Sequence, residues 1–370
     1  MTSLNSKRQN YIDIMKGWAI IMVVVFHITS GIFSSFFANL LGGNMWNIAM
    51  FFIIGGFFIT TDKLQDYKVF LKKKFKSLYV PATIIYLLAI LFHNVFIKMG
   101  WYISGEIHPG TGIAFEYYSV IEYVKQCAAA ILCAGHGELI MGAMWFLYTL
   151  IYALIGLIVI WNLCKHFKNA ENIMGISLLL LMTISCIMTQ LFQFTINRIN
   201  VTLTAMGLIY IGMGIYQKQK IRFNNPWLMI VSVLIFVGHV VLIHDNYNIA
   251  LAKNQYPDGI ILVIGSCCYL YIVGFISKKI EKTIVGNVVA YIGEKSLYIM
   301  ALHITGFFIC NSILAKWGGV FNETSAHGMY TYVLNGNIYL FCLYLVFGVA
   351  IPLIIIYVVK WILSILTMCR

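Results

Sequence analysis

Residues 8–27 read RQNYIDIMKGWAIIMVVVFH, a charged run of Arg8, Asp13 and Lys16 that passes through Gly17 into an apolar helix interrupted by one ionisable side chain, His27. At about 1.5 Å of rise per residue, His27 stands roughly 16 Å beyond Lys16, near the middle of a hydrocarbon layer about 30 Å thick. Ionisable groups at that depth face a bundle interior and are functional by default; the structural alternative is a His that bonds a neighbouring helix. Eleven residues at about 100° each bring Lys16 and His27 to nearly the same face, which Ser30, Gly31 and Ser34 extend at helical spacings. This stretch is therefore read as a spanning helix with a narrow polar wall and a cationic mouth.

Composition points the same way. The chain has 370 residues, 61% of them apolar and 10% charged, with a mean hydropathy of +0.86, whereas soluble domains carry about 25% charged residues. The expected class is an all-α polytopic membrane bundle, a single domain over 1–370. A formal charge of +12 would suggest nucleic acid in a soluble protein; here its placement matters more, and no nucleic-acid partner is expected. The nine cysteines lie mostly in apolar runs without CxxC or metal-ligand spacing, so they are read as small buried hydrophobes, with neither a disulfide nor a metal site expected. The first apolar run continues to about Phe37 with no small-residue cleavage pattern after it, and is expected to remain as a helix.

Runs of about 17–25 apolar residues are long enough to cross as helices. Ten are expected, at 17–37, 45–60, 79–97, 142–163, 173–191, 201–216, 227–244, 259–276, 297–315 and 338–362. With the amino terminus cytoplasmic, Lys and Arg number 20 on the inner side and 5 on the outer, the outer ones being Lys98, Lys125, Arg198, Lys253 and Lys316. That bias obeys the positive-inside rule, so both termini are expected in the cytoplasm.

Two connections are long. The inner one, Thr61 to Leu78, carries Lys63, Lys68, Lys72, Lys73, Lys74 and Lys76, enough to hold anionic headgroups at about 1 kcal/mol each or a phosphate-rich ligand. Pro81 just beyond it suits the first turn of the third span. The outer one, Lys98 to Met141, includes Trp101, Tyr102, Tyr117 and Tyr118, read as an interfacial belt or as platforms that stack on a sugar. No internal repeat, Gly-rich phosphate loop, GxSxG or HExxH pattern is present.

Four fragments in order resemble the acyltransferase-3 family of membrane acyltransferases, which O-acetylate bacterial surface glycans. Asp13-x-x-Lys16-Gly17 followed by His27 is similar to that family's Asp-x-x-(Arg or Lys)-Gly opening and first-helix histidine. FFIIGGFFI (Phe51 to Ile59) is similar to its second helix, MWFLYTLI (Met144 to Ile151) to its Trp-Phe-Leu segment, and GEKSLYIMALH (Gly293 to His303) to its late element with Ser296, Tyr298 and His303. The resemblance covers nearly the whole chain. One departure stands out: where the family commonly has Arg-x-x-x-Arg, this chain has Lys72-x-x-x-Lys76, which keeps the charge but loses the bidentate fork.

The resemblance implies an acyl-CoA donor, acetyl-CoA above all, on the cytoplasmic side of a bacterial inner membrane, and a hydroxyl acceptor on a lipid-linked or exported glycan, with no permanently bound cofactor. An alcohol needs a base to take its proton as it attacks a thioester. His27 is the expected base and His303 its companion, orienting the acceptor, stabilising the oxyanion or bonding Ser296. Acyl-His chemistry is the alternative to direct transfer. Lys16, Arg8, Lys72, Lys73 and Lys76 are the expected donor-binding residues. Asp13, Trp145 and Ser296 are acceptor-side candidates, Asp13 also being expected to pair with Lys16 or Arg8 and Trp145 to pack or join the belt. The competing class is a glycan or lipid transporter with an intramembrane His relay; the absence of an inverted copy of either half weakens it.

Overall fold

The helix that opens the chain starts ahead of its apolar run. In the computed structural model, which describes residues 9–28, 44–107, 114–135, 137–196, 198–218, 220–242, 250–256, 258–318 and 337–368, α1 covers Asn10–Ile28. Asp13, Lys16 and Gly17 therefore lie inside it, with Asp13 in the first turn where the helix dipole favours an acid. Arg8, Ser30, Gly31 and Ser34 fall outside the described residues.

The remaining helices are α2 Asn44–Gly56, α3 Thr61–Gln65, α4 Tyr67–Leu91, α5 His93–Lys98, α6 Val120–Ile131, α7 Leu139–Cys164 and α8 Ala170–Gln190. They continue with α9 Ile199–Gln217, α10 Pro226–Leu242, α11 Gly259–Ile280, α12 Ile284–Glu294, α13 Ser296–Gly318 and α14 Ile338–Met368. The described residues contain two isolated bridges and no strand. Eight helices among them, α1, α4, α7, α8, α9, α11, α13 and α14, are long and apolar enough to cross a membrane, and α2 and α10 are shorter apolar helices at the expected spans 45–60 and 227–244. The protein is an all-α polytopic membrane bundle.

Two expected loops are corrected. The connection 61–78 is helical: Thr60 caps α3 by accepting the Lys63 N–H, and α4 begins at Tyr67, so the lysine run forms its first turns. A π turn, Phe75–Tyr79, interrupts α4 just before Pro81. Proline lacks an N–H and crowds the carbonyl one turn back, and a widened turn accommodates both effects.

The connection 98–141 is not wholly an outer loop. Its Ser119-x-x-Glu122 capping box starts α6, which packs along α4 and brings its last turn back into the bundle. There the Tyr79 hydroxyl donates to the Ile131 carbonyl at 2.6 Å and the Tyr152 hydroxyl to the Leu132 carbonyl at 2.9 Å. The Arg198 guanidinium donates to the carbonyls of Cys133 and Gly135 at 3.4 and 3.1 Å. Tyr79 lies twelve residues, or about 18 Å, from the far end of α4, so this returning backbone packs against the middle of that helix, and these side chains satisfy its carbonyls.

α1 is the central post, with α2, α11, α12, α13 and α14 packed on it. Its crossing with α12 is backbone against backbone: a β-carbon at Gly17 would strike the Val289 carbonyl, and one at Gly293 would strike that of Asp13. Small residues permit such approaches between membrane helices.

Candidate active site

The α1–α12 crossing determines where α13 starts, and α13 carries His303 back against α1. The His27 and His303 rings stand 5.1 Å apart between centroids, inclined by 34°. His303 is fully buried, and its Nδ1 lies 2.9 Å from the Ile299 carbonyl and 3.1 Å from that of Met300. Carbonyls only accept, so the proton is assigned to Nδ1 and the lone pair to Nε2. Among the described residues nothing bonds that buried Nε2. A buried acceptor left unpaired costs about 1–3 kcal/mol and calls for a reason; with the proton on Nδ1, this nitrogen is left able to accept a hydrogen bond. His27 keeps part of its surface accessible, with the edge of Phe26 at 6.4 Å, while Phe307 closes on His303 at 5.8 Å. A bond to Ser296, the third of the roles weighed for His303, is not made. Ser296 opens α13 two turns away, about 10 Å along the axis, and the main chain takes Nδ1 instead.

At the lysine-rich end of α1, Lys16 Nζ is 3.1 Å from Asp13 Oδ1 and 5.0 Å from the centre of the Phe58 ring. Asp13 is buried in this pairing, the Lys16 alternative of the two expected for it. Lys63 donates to the Phe58 carbonyl at 2.7 Å, and the Lys74 ammonium lies 5.6 Å from the centre of the Phe70 ring. Lys16 and Lys74 are half-buried, while Lys63, Lys72, Lys73 and Lys76 are exposed. Lys72 and Lys74 both line a cavity between α4, the end of α6 and α7. Trp145 is half-buried and meets Phe146 edge-on at 6.3 Å; Phe146 in turn packs on Phe51 and Phe52 at 5.6 and 4.7 Å. Among the described residues no group of three His, Cys, Asp or Glu side chains could hold a metal ion.

A buried pairing of two ionisable groups, one of them in the connection 98–141, was not foreseen in the sequence. His93 Nδ1 lies 3.0 Å from Glu138 Oε1, and both side chains are almost wholly buried. His93 Nε2 donates to the Glu116 carbonyl at 3.0 Å, and Tyr102 donates to Glu138 Oε2 at 3.0 Å. Both ring nitrogens of His93 are therefore occupied, which makes it a structural tie rather than a base. Burial, and then the Glu138 carboxylate, hold the Tyr102 and Tyr118 phenols above their ordinary range, so both stay protonated as donors. The aromatics of this connection are mostly spent. Trp101 is sandwiched by Phe96 and Phe308, each at 5.1 Å, and donates to Ser312 Oγ at 2.9 Å; Tyr118 stacks on His93 at 3.5 Å. Neither can serve as an open sugar platform, whereas Tyr117 is exposed.

A family model described as an acyltransferase domain matches residues 9–357. The chain belongs to the acyltransferase-3 family. No curated protein and no solved structure matches it. As a member of that family the protein is a membrane acyltransferase, and within the matched region lie both histidines, the Asp13–Lys16 pair and the Gly17–Gly293 crossing.

Proposed function

We propose that this acyltransferase moves an acyl group, acetyl in the first instance, from a cytoplasmic acyl-CoA to a hydroxyl of an exported or lipid-linked glycan at a bacterial inner membrane. The observation that carries this reading is the His27–His303 pair, two imidazoles 5.1 Å apart at bundle depth, one of them with a bare, buried Nε2. In the proposed direct transfer His27 takes the acceptor hydroxyl's proton as its oxygen bonds the thioester carbon. His303 holds the acceptor or a ring N–H of His27 through Nε2. The C–S bond then breaks, and the departing thiolate takes the proton back from the imidazolium. Lys16, Lys63 and Lys74 lie where the donor's diphosphate would enter, and ammonium groups suit phosphate as point charges.

The reading is tested with purified protein in nanodiscs, supplied with radiolabelled acetyl-CoA and a polysaccharide acceptor. Label should move to an alkali-labile ester on the glycan. Protein that binds neither acyl-CoA nor glycan, and transfers no label, would sink it.

A further inference from the structure

Of the lysines in the first turns of α4, Lys72 has no part in the donor mouth proposed above. With Lys74 it borders the cavity between α4, the end of α6 and α7, whose walls include Phe75, Tyr79, Leu132 and Ile155. The cavity measures about 510 Å³, within the usual range for small-molecule sites of about 300–1,000 Å³.

The polarity of those walls is lopsided. Two ammonium groups border the cavity and no carboxylate does. Neither lysine makes an ion pair or a side-chain hydrogen bond among the described residues. The wall hydroxyls, those of Tyr79 and Tyr152, are spent on the Ile131 and Leu132 carbonyls at 2.6 and 2.9 Å. Beyond the lysines the lining is aliphatic and aromatic, with Phe75 stacked on Tyr79 at 4.6 Å and 21°, apart from the Cys133 thiol, a weak donor. A ligand gains there by apolar contact and by negative charge, not by directed hydrogen bonds to side chains.

The two kinds of surface follow one another along α4. Tyr79 lies roughly 8–10 Å beyond Lys72 and Lys74, on a helix that, like α7, is long and apolar enough to cross the membrane. Phe75, Ile131, Leu132 and Ile155 are exposed, so the cavity opens sideways, toward lipid. Lysine stems lie along apolar surface while their charged heads stay at the water interface. The end of α6, fastened by the same two tyrosine hydroxyls, gives the cavity a fixed wall where a plain helix pair would leave a shallow seam.

We propose that this cavity binds one anionic phospholipid, with its phosphate between Lys72 and Lys74 and the first part of one acyl chain against Phe75, Tyr79, Leu132 and Ile155. A zwitterionic lipid brings its own cation to the two lysines and gains less. The site does not depend on the donor reading. Lys74 is also assigned to the donor mouth, so Lys72 is the substitution that separates lipid from donor.

Full-length protein in nanodiscs of equal phosphatidylglycerol and phosphatidylcholine, with identical chains, is transferred to detergent, and the retained lipid is counted by native mass spectrometry. Wild type should retain phosphatidylglycerol about tenfold or more over phosphatidylcholine, as two cations at a lipid surface predict. Lys72→Gln should cut that preference about fivefold, more than it lowers acyl-CoA affinity, and Lys72→Arg should keep it. Ile155→Trp, at an exposed position, should fill the cavity and remove the preference with both lysines in place. Matched melting temperatures of the variants verify folding.

Equal retention of the two lipids by wild type, or an undiminished preference in Lys72→Gln or Ile155→Trp, overturns the site. If glycerol 3-phosphate, which has the phosphate without the chains, displaces the retained lipid as readily as added phosphatidylglycerol does, the apolar wall is idle and the lipid assignment fails. It fails too if Lys72→Gln weakens acyl-CoA binding and leaves lipid retention alone, since the cavity then serves the donor.

Discussion

Gly293 rests against the main-chain carbonyl of Asp13 at a distance that leaves no room for a β-carbon. Since Asp13 orients Lys16 and Gly293 leads into the helix of His303, one backbone contact sets the relation between cationic mouth and histidines. Gly293→Ala must push α1 and α12 apart, and overpacking of this kind costs about 1–3 kcal/mol. We expect a lowered melting temperature in detergent and a larger loss of acyl transfer than of donor binding. A variant with wild-type melting and turnover would show that the crossing yields freely.

His27→Ala should reduce acyl transfer by about 10²- to 10⁴-fold, the usual contribution of a general base, while the protein inserts and binds donor normally. His303→Ala should do likewise. Because the two act as one unit, the double variant should be little worse than either single one. Rates in membranes with matched amounts of protein decide this, and more than about a tenth of the activity left in His27→Ala would mark that residue as packing.

For the donor, Lys63→Gln with Lys74→Gln should weaken acyl-CoA binding more than Lys72→Gln with Lys76→Gln, and should flatten its dependence on salt. Equilibrium titration at two ionic strengths separates the pairs. The opposite ranking would return the phosphates to the outward lysines.

Removing one partner of a buried hydrogen-bonded pair leaves the other unsatisfied, at a cost of about 1–3 kcal/mol. Accordingly, Glu138→Gln and His93→Gln should each depress thermal stability, and the double variant should fall short of their sum. Additive effects in the melting curves would mean that the two groups do not act on one another.

On the acceptor side, Tyr117→Ala should raise the acceptor KM with donor affinity unchanged, whereas Trp101→Ala should lower stability, since its ring is enclosed by Phe96 and Phe308. Steady-state kinetics beside melting curves distinguish the two. A change in acceptor KM on losing Trp101 without any loss of stability would contradict its role as packing.

The long apolar helices were legible because a helix in hydrocarbon must bury its own backbone polar groups, so each leaves an apolar run of fixed length. The eight long ones among the described residues follow those runs within a few residues except at the starts of α1 and α4, whereas α12, which crosses α1, falls between two of the expected runs. His27 stood out by depth and His303 by resemblance. The first turns of α4 were not legible, because a lysine-rich amphipathic start has the composition of a loop. Nor was the inward course of α6, whose twelve residues fall short of a span. His93 and Glu138 lie 45 residues apart, and nothing local in either neighbourhood announces their pairing.

The hydroxyl of Tyr79, last residue of the π turn, reaches the carbonyl that ends α6. Sliding α6 would strand that carbonyl in a medium with no water to replace the lost bond, a cost of several kcal/mol. The connection bearing Tyr117 and the helix bearing Lys74 are thus fastened to each other by a side chain at the point where the helical repeat widens.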